Sequence, residues 1–182
     1  RGAMDGQKFM EGWGEDTVQS LYDRIHTTMP PGQAGSIPDQ AYVDIVAFFL
    51  SRNKFPTGDA ELAIDRLDEI RIQGKDGPTE VPSFAMVQVI GCLTQESSEV
   101  YKVTSATEAV RARDPKESAG EELEAAKAAP LGKSAYDLLR NVIYLEPENL
   151  VGHKVEVKGF LIRSDDGDRI NVSTLHSLSD SC

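Results

Sequence analysis

Phe84-Ala85-Met86-Val87-Gln88-Val89-Ile90-Gly91-Cys92-Leu93 is a β-rich run, and the character of the chain changes on either side of it. Downstream, Val100 to Thr104 reads Val-Tyr-Lys-Val-Thr, a second strand. Ser134 to Val142 fits helix or strand by itself, and a strand suits its surroundings. His153 to Ile162 sets Val155, Val157 and Phe160 on one side and Lys154, Glu156 and Lys158 on the other. Asp165-Asp166-Gly167-Asp168 reads as a hairpin turn, and Arg169 to Leu178 as the last strand. A surface helix around 116–129, rich in Glu, Ala and Lys, is inserted in a long loop, and Pro147 to Leu150 makes a short helical turn.

Three strands, a short helix and a terminal hairpin are the element order of an OB-type five-stranded β-barrel. Gly91 and Gly159 fit bulges where strands bend around a small barrel. This half is expected to span 83–182, after a Gly- and Pro-containing linker over 74–82.

Upstream of that linker, residues 1–73 read as helical. Asp16 to Thr27 places Val18, Leu21, Tyr22 and Ile25 at helical spacing, with Asp16 or Thr17 as its cap. Met29-Pro30-Pro31-Gly32 ends it, because neither proline continues a helix. Pro38-Asp39 opens a second helix through Arg52, with Tyr42, Ile45, Val46, Phe49 and Leu50 on one face. Phe55-Pro56-Thr57-Gly58 stops it, and Asp59 to Ile70 has the pattern of a third, more charged helix. The fold class is therefore α+β: an all-α N-terminal part and a β-barrel.

The 182 residues are 40% hydrophobic and 27% charged, the balance of a globular protein. A net charge of -11 repels phosphate backbones, so a nucleic-acid partner is not expected, even on a barrel of this type. No apolar stretch is long enough to be a membrane span, and Ala47-Phe48-Phe49-Leu50 reads as a helix face. The sequence starts at Arg1 with no signal peptide, which reads as a processed product or a fragment. Cys92 and Cys182 are compatible with one disulfide in an oxidising compartment or with two free thiols.

Several constellations carry little. Gly12-x-Gly14 lacks the Lys-Ser end of a phosphate loop. Asp165, Asp166 and Asp168 make a turn before they make a calcium site. Glu121-Glu122-x-Glu124 reads as a solvated helix face, and the three histidines form no defensible catalytic triad, so no enzyme activity is expected.

Phe9 and Trp13, the first helix, Thr28-Met29-Pro30-Pro31-Gly32, the run Tyr42 to Leu50 and Phe55-Pro56-Thr57-Gly58 with Glu61-Leu62 form a series. Over about residues 1–62 it resembles the C-terminal half of bacterial class I c-type cytochrome domains, especially those of pyrroloquinoline-quinone dehydrogenases. The resemblance implies a haem c cofactor with Met29 as an axial ligand of the iron. A thioether is a soft, neutral ligand that raises the reduction potential. Trp13, Ile25, Pro30 and Tyr42 would then lie near the porphyrin, the same residues that would pack a helical core. The family's Cys-x-x-Cys-His attachment motif is missing: Cys92 and Cys182 lie in the other half, and His26 sits on the same helix end as Met29. His153 and His176 fall in expected strands, as surface residues.

Gly152 to Gly159 is similar to the fourth strand of bacterial periplasmic OB-like domains, and that likeness implies a Cys92–Cys182 disulfide. Closing so long a loop adds about 4 kcal/mol in the entropy model. The implied function is periplasmic or extracellular electron transfer through a single haem, with a redox protein or membrane complex as partner. The alternative is a non-catalytic structural or interaction subunit that keeps a haem-less cytochrome scaffold and is able to self-associate.

Overall fold

The computed structural model describes residues 6–74 and 76–182. Among them are four α-helices and a six-stranded sheet, a mixed α+β architecture. The chain divides into two compact units, Arg1–Glu80 and Val81–Cys182. The boundary falls inside the stretch expected as a linker, and residues on either side of it are fixed within their own units. The Thr79 backbone N–H donates to the Glu15 carboxylate at 2.7 Å in the first unit. Val81 is buried in the core of the second.

In the first unit, α1 (Gly6–Trp13), α2 (Val18–Thr28) and α3 (Asp39–Arg52) surround a core of Phe9, Leu21, Ile25, Tyr42, Val46 and Leu67. Thr17 is the residue that caps α2, its hydroxyl accepting from the Ser20 N–H at 3.2 Å. Asp16 instead accepts the N–H of Thr17 at 2.8 Å.

The helix expected over Asp59–Ile70 does not form; only a single 3-10 turn, Ile64–Arg66, is present there. Its backbone serves α2 instead. The N–H of Val18 donates to the Ile70 carbonyl at 2.8 Å, and the N–H of Gln19 to that of Leu67 at 3.0 Å. The first N–H groups of a helix have no partner within it. Here a neighbouring segment supplies those partners while burying Leu67 and Ile72.

The second unit holds β1 (Met86–Ser97), β2 (Val100–Ala106), β3 (Val110–Arg111), α4 (Gly120–Ala128), β4 (Ser134–Leu138), β5 (Lys154–Ile162) and β6 (Arg169–Ser179). β1 pairs antiparallel with β2 and with β5, β5 antiparallel with β6, β6 parallel with β4, and β4 antiparallel with β2. The pairings thus return to the strand they started from, with β3 added beside the start of β1. Inside lie Val87, Val89, Tyr101, Val103, Val157 and Ile170 among others.

Three local expectations are corrected. The strand expected through Val142 ends at Leu138, and a 3-10 segment, Arg140–Leu145, follows it. Phe160 does not share the inner side with Val155 and Val157. Side chains alternate without a break along β5, so Val155, Val157 and Leu161 face the core and Phe160 lies on the side of Glu156 and Lys158, 43% exposed. Gly159 faces a bulge whose extra residue, Ser173, lies on β6, whereas Gly91 lies in regular pairing with β5. A Cβ at Gly91 would stand 2.6 Å from Val103 Cγ1 and 2.8 Å from the Thr104 carbonyl oxygen, so glycine there permits close approach of β2.

Candidate functional site

The Met29 loop begins where α2 ends. Met29 is extended, and its N–H still donates to the Ile25 carbonyl at 2.9 Å. The Tyr42 hydroxyl, from the first turns of α3, donates to the Met29 carbonyl oxygen at 2.7 Å. The backbone of Met29 is therefore held on both sides, while the residue is 46% exposed. Pro30, joined to Met29 by a cis peptide bond, carries the chain into the Gly32–Ile37 loop.

Tyr42 is itself fixed. It is fully buried, its ring meets Tyr22 edge-on with centroids 6.1 Å apart, and His26 lies 4.8 Å away on another side. His26 stacks on Tyr22, and its Nε2 lies 3.7 Å from Asp39 Oδ1. The Tyr22 hydroxyl also donates to Asp39 Oδ1 at 3.2 Å. Burial, followed by the Asp39 carboxylate, pushes the Tyr22 hydroxyl above the usual tyrosine range.

Of the residues expected around a haem, the structure brings together Met29, Pro30, Ile25 and Tyr42 through this backbone network. Ile25 and Tyr42 turn into the unit's own core, and Trp13 packs on the same core at the end of α1. Sequence reading placed Tyr42 on a cofactor wall and missed that it anchors Met29, a contact across 13 positions that no local pattern marks.

Iron in such a site takes two axial ligands, and covalent attachment takes two cysteines. Met29 presents one suitable ligand atom. His26 is engaged by Tyr22, Tyr42 and Asp39, and Cys92 and Cys182 are bonded to each other in the other unit. Among the described residues, no group of three or more His, Cys, Asp or Glu side chains is arranged to hold a metal ion. The fit to haem is thus that of one axial position.

A cleft of about 720 Å³ also opens in the first unit, between Val18, the end of α3 at Leu50 and Ser51, and the chain from Phe55 to Ala63. None of the five expected haem residues lines it. Its two arginines are engaged, Arg66 with Glu69 at 3.0 Å and Arg71 with the Glu15 carbonyl at 3.0 Å.

The second unit contains a polar cluster that the sequence pattern hid. Glu156 and Lys158 alternate with the inward valines and lie on the other side of the strand, yet they are 0% and 1% exposed. The segment from Pro115 to Ala129, which includes α4, lies over them. Glu156 accepts from the Ser118 N–H at 3.0 Å, from the Ser118 hydroxyl and from the Gln88 amide. Burial raises the Glu156 carboxyl, but these donors and the Lys158 charge outweigh it and hold it below the ordinary glutamate range. Lys158 donates to Glu122 at 3.1 Å. His153 and His176 are half-buried, not free surface groups: His153 Nδ1 lies 2.9 Å from the Ser177 hydroxyl, and His176 Nδ1 lies 3.2 Å from Glu117. At the hairpin, Asp168 pairs with Arg163.

No family model, curated protein or solved structure matches this chain.

Proposed function

We propose that this chain belongs to a periplasmic or extracellular electron-transfer protein in which Met29 is one axial ligand of a haem c iron. The observation that carries this reading is the Met29 geometry: an exposed methionine on a backbone tied to Ile25 and Tyr42. An electron-transfer ligand must keep its place as the iron changes charge, and a doubly anchored backbone with prolines after it does that. Bound there, the haem supplies a one-electron couple whose reduced form the neutral thioether favours. Met29 binds, Tyr42 positions it, and Pro30 sets the direction of the loop. With Cys92 and Cys182 bonded to each other, the remaining iron ligand and the attachment cysteines would have to be supplied by other polypeptide. The partners are a dehydrogenase or respiratory complex and an electron acceptor.

The second unit fits an OB-type five-stranded barrel with β3 as an addition. Support comes from the closed circuit of pairings, its single parallel pair β4–β6, and the 3-10 turns between β4 and β5. The Cys92–Cys182 disulfide suits an oxidising compartment. No helix among the described residues is long and apolar enough to cross a membrane.

A second reading, a docking subunit with a haem-less scaffold, draws on one observation: Ile25 and Tyr42 fill the unit's own core and leave no need of a porphyrin. The visible spectrum of the native protein separates the two. A sharp reduced α-band, with a far-red methionine–iron band lost in Met29→Ala, supports electron transfer. A native protein without haem absorbance overturns it in favour of the docking subunit.

A further inference from the structure

The outer face of β1, β5 and β6 is covered, and what covers it is fastened mainly by polar groups. We propose that residues 115–129 form a strap that opens as a unit while the strands beneath stay paired, with Glu156 as the clasp.

The apolar contribution of the strap is small. Ala126 is buried against Ile90 and Leu178, with Leu123 and Ala129 partly buried beside it. The core within the strands, by contrast, holds seventeen buried hydrophobic residues. Apolar burial is the main source of stability, so the two layers differ widely in what holds them. The rest of the attachment is polar. Thr174 donates to the Pro115 carbonyl, Ser118 donates twice to Glu156, Lys158 pairs with Glu122, and His176 with Glu117. Lys154 donates to the carbonyls of Lys127 and Ala129, both at 2.7 Å, at the C-terminal end of α4.

α4 is nine residues long and has no side-chain cap at its start. A helix that short does not persist in water, so once lifted it melts, and nothing favours a half-open state. Segments with few buried apolar contacts and solvent-reachable polar ones open at lower free energy than the global transition.

Glu156 is the clasp because it lies under the strap and holds Ser118 by both backbone and side chain. The charged and titratable groups around it are Lys154 and Lys158 on β5, His176 opposite it on β6, and Glu117 and Glu122 from the strap; β1 contributes only the neutral Gln88. Neutralising Glu156 replaces charge-assisted hydrogen bonds with weaker ones and leaves Lys158 less compensated. Opening would join this face to Met86 and to the exposed Phe160, register partners at its uncovered end.

Hydrogen exchange on the native protein at neutral pH tests this. In Glu156→Gln the amides of 116–128 should exchange about tenfold faster, while those of β1, β5 and β6 keep their rates. Ser118→Ala removes the hydroxyl bond to Glu156 from the strap side, keeps the Ser118 N–H bond and alters no strand, and should accelerate the same amides by a smaller factor if Glu156→Gln folds poorly. Unchanged strap exchange in both variants overturns the proposal. So does a common acceleration of strap and strands, which would make the strap part of one cooperative barrel.

Discussion

The hydroxyl of Tyr42 and the carbonyl of Met29 meet at 2.7 Å, and through that contact a buried side chain of α3 controls an exposed loop at the end of α2. Tyr42→Phe keeps the ring packing against Tyr22 and His26 and removes only the donor. The carbonyl loses its protein partner, and the first unit should lose about 1–2 kcal/mol in urea unfolding. The Met29 methyl resonance should broaden or shift, whereas Tyr22→Phe, whose hydroxyl contacts Asp39, should leave it unmoved. An unaffected Met29 in Tyr42→Phe would show that the loop is fixed by its prolines alone.

The helices α2 and α3 were legible because their apolar residues recur at helical spacing and turn residues bound them. The hairpin β5–β6 was legible because Asp-Asp-Gly-Asp separates two β-rich runs. The missing third helix was not, since its pattern does carry Leu62, Leu67 and Ile70 at plausible spacing. What decided it is the demand of α2 for acceptors at its start, met by the carbonyls of Leu67 and Ile70. Phe160 was misplaced against the alternation itself: it lies two positions from Lys158 and four from Glu156, and strict period two puts it on their side, where the structure has it. The side taken by Glu156 and Lys158 was legible but their burial was not, because alternation tells which side a residue takes, not whether another segment covers that side. At the candidate site, the end of α2 at Met29 was legible from the prolines that follow it. The anchor role of Tyr42 was not, because it depends on how two helices meet.

Gly159 leads to a stability prediction. A Cβ there would drive into the Asn171 carbonyl oxygen and lie 2.8 Å from Ile170 Cγ2. The obstacle is backbone of the paired strand, which yields only if β5 and β6 separate. Gly159→Ala should cost about 3 kcal/mol or more in denaturant unfolding of the second unit. Gly152→Ala is a control with no atom near the added methyl, although its φ of 88° brings a smaller strain of its own. Equal losses in the two variants would refute the close-approach account.

The disulfide joins Cys92 in β1 to Cys182 just beyond β6, 90 positions apart. β1 and β6 are not direct neighbours, since β5 lies between them, so the bond ties together ends that no ladder hydrogen bond connects. Cys92→Ser with Cys182→Ser should lower the unfolding free energy of the second unit by about 2–4 kcal/mol, through the entropy returned to its unfolded chain. The first unit should unfold as before. Reductant should reproduce the loss in the native protein and do nothing further to the double variant.

Two tyrosines give the chain an alkaline limit. Burial raises the hydroxyls of both Tyr22 and Tyr136; the Asp39 carboxylate adds to the rise at Tyr22, and hydrogen bonds from Ser134 and the Ala109 backbone offset part of it at Tyr136. A folded value above the unfolded one means that the neutral hydroxyl is favoured by folding. The stabilising contribution is complete below the unfolded tyrosine value of about 10 and is lost as pH rises through the raised folded values. Unfolding free energy should therefore fall on the alkaline side of about pH 10, and tyrosinate absorbance from these two residues should appear late and together with loss of structure. Asp39→Asn removes the carboxylate beside Tyr22, so the late phase assigned to Tyr22 should move to lower pH while that of Tyr136, in the other unit, stays where it was. A shift of both phases, or of neither, would mean that Asp39 does not set the Tyr22 titration.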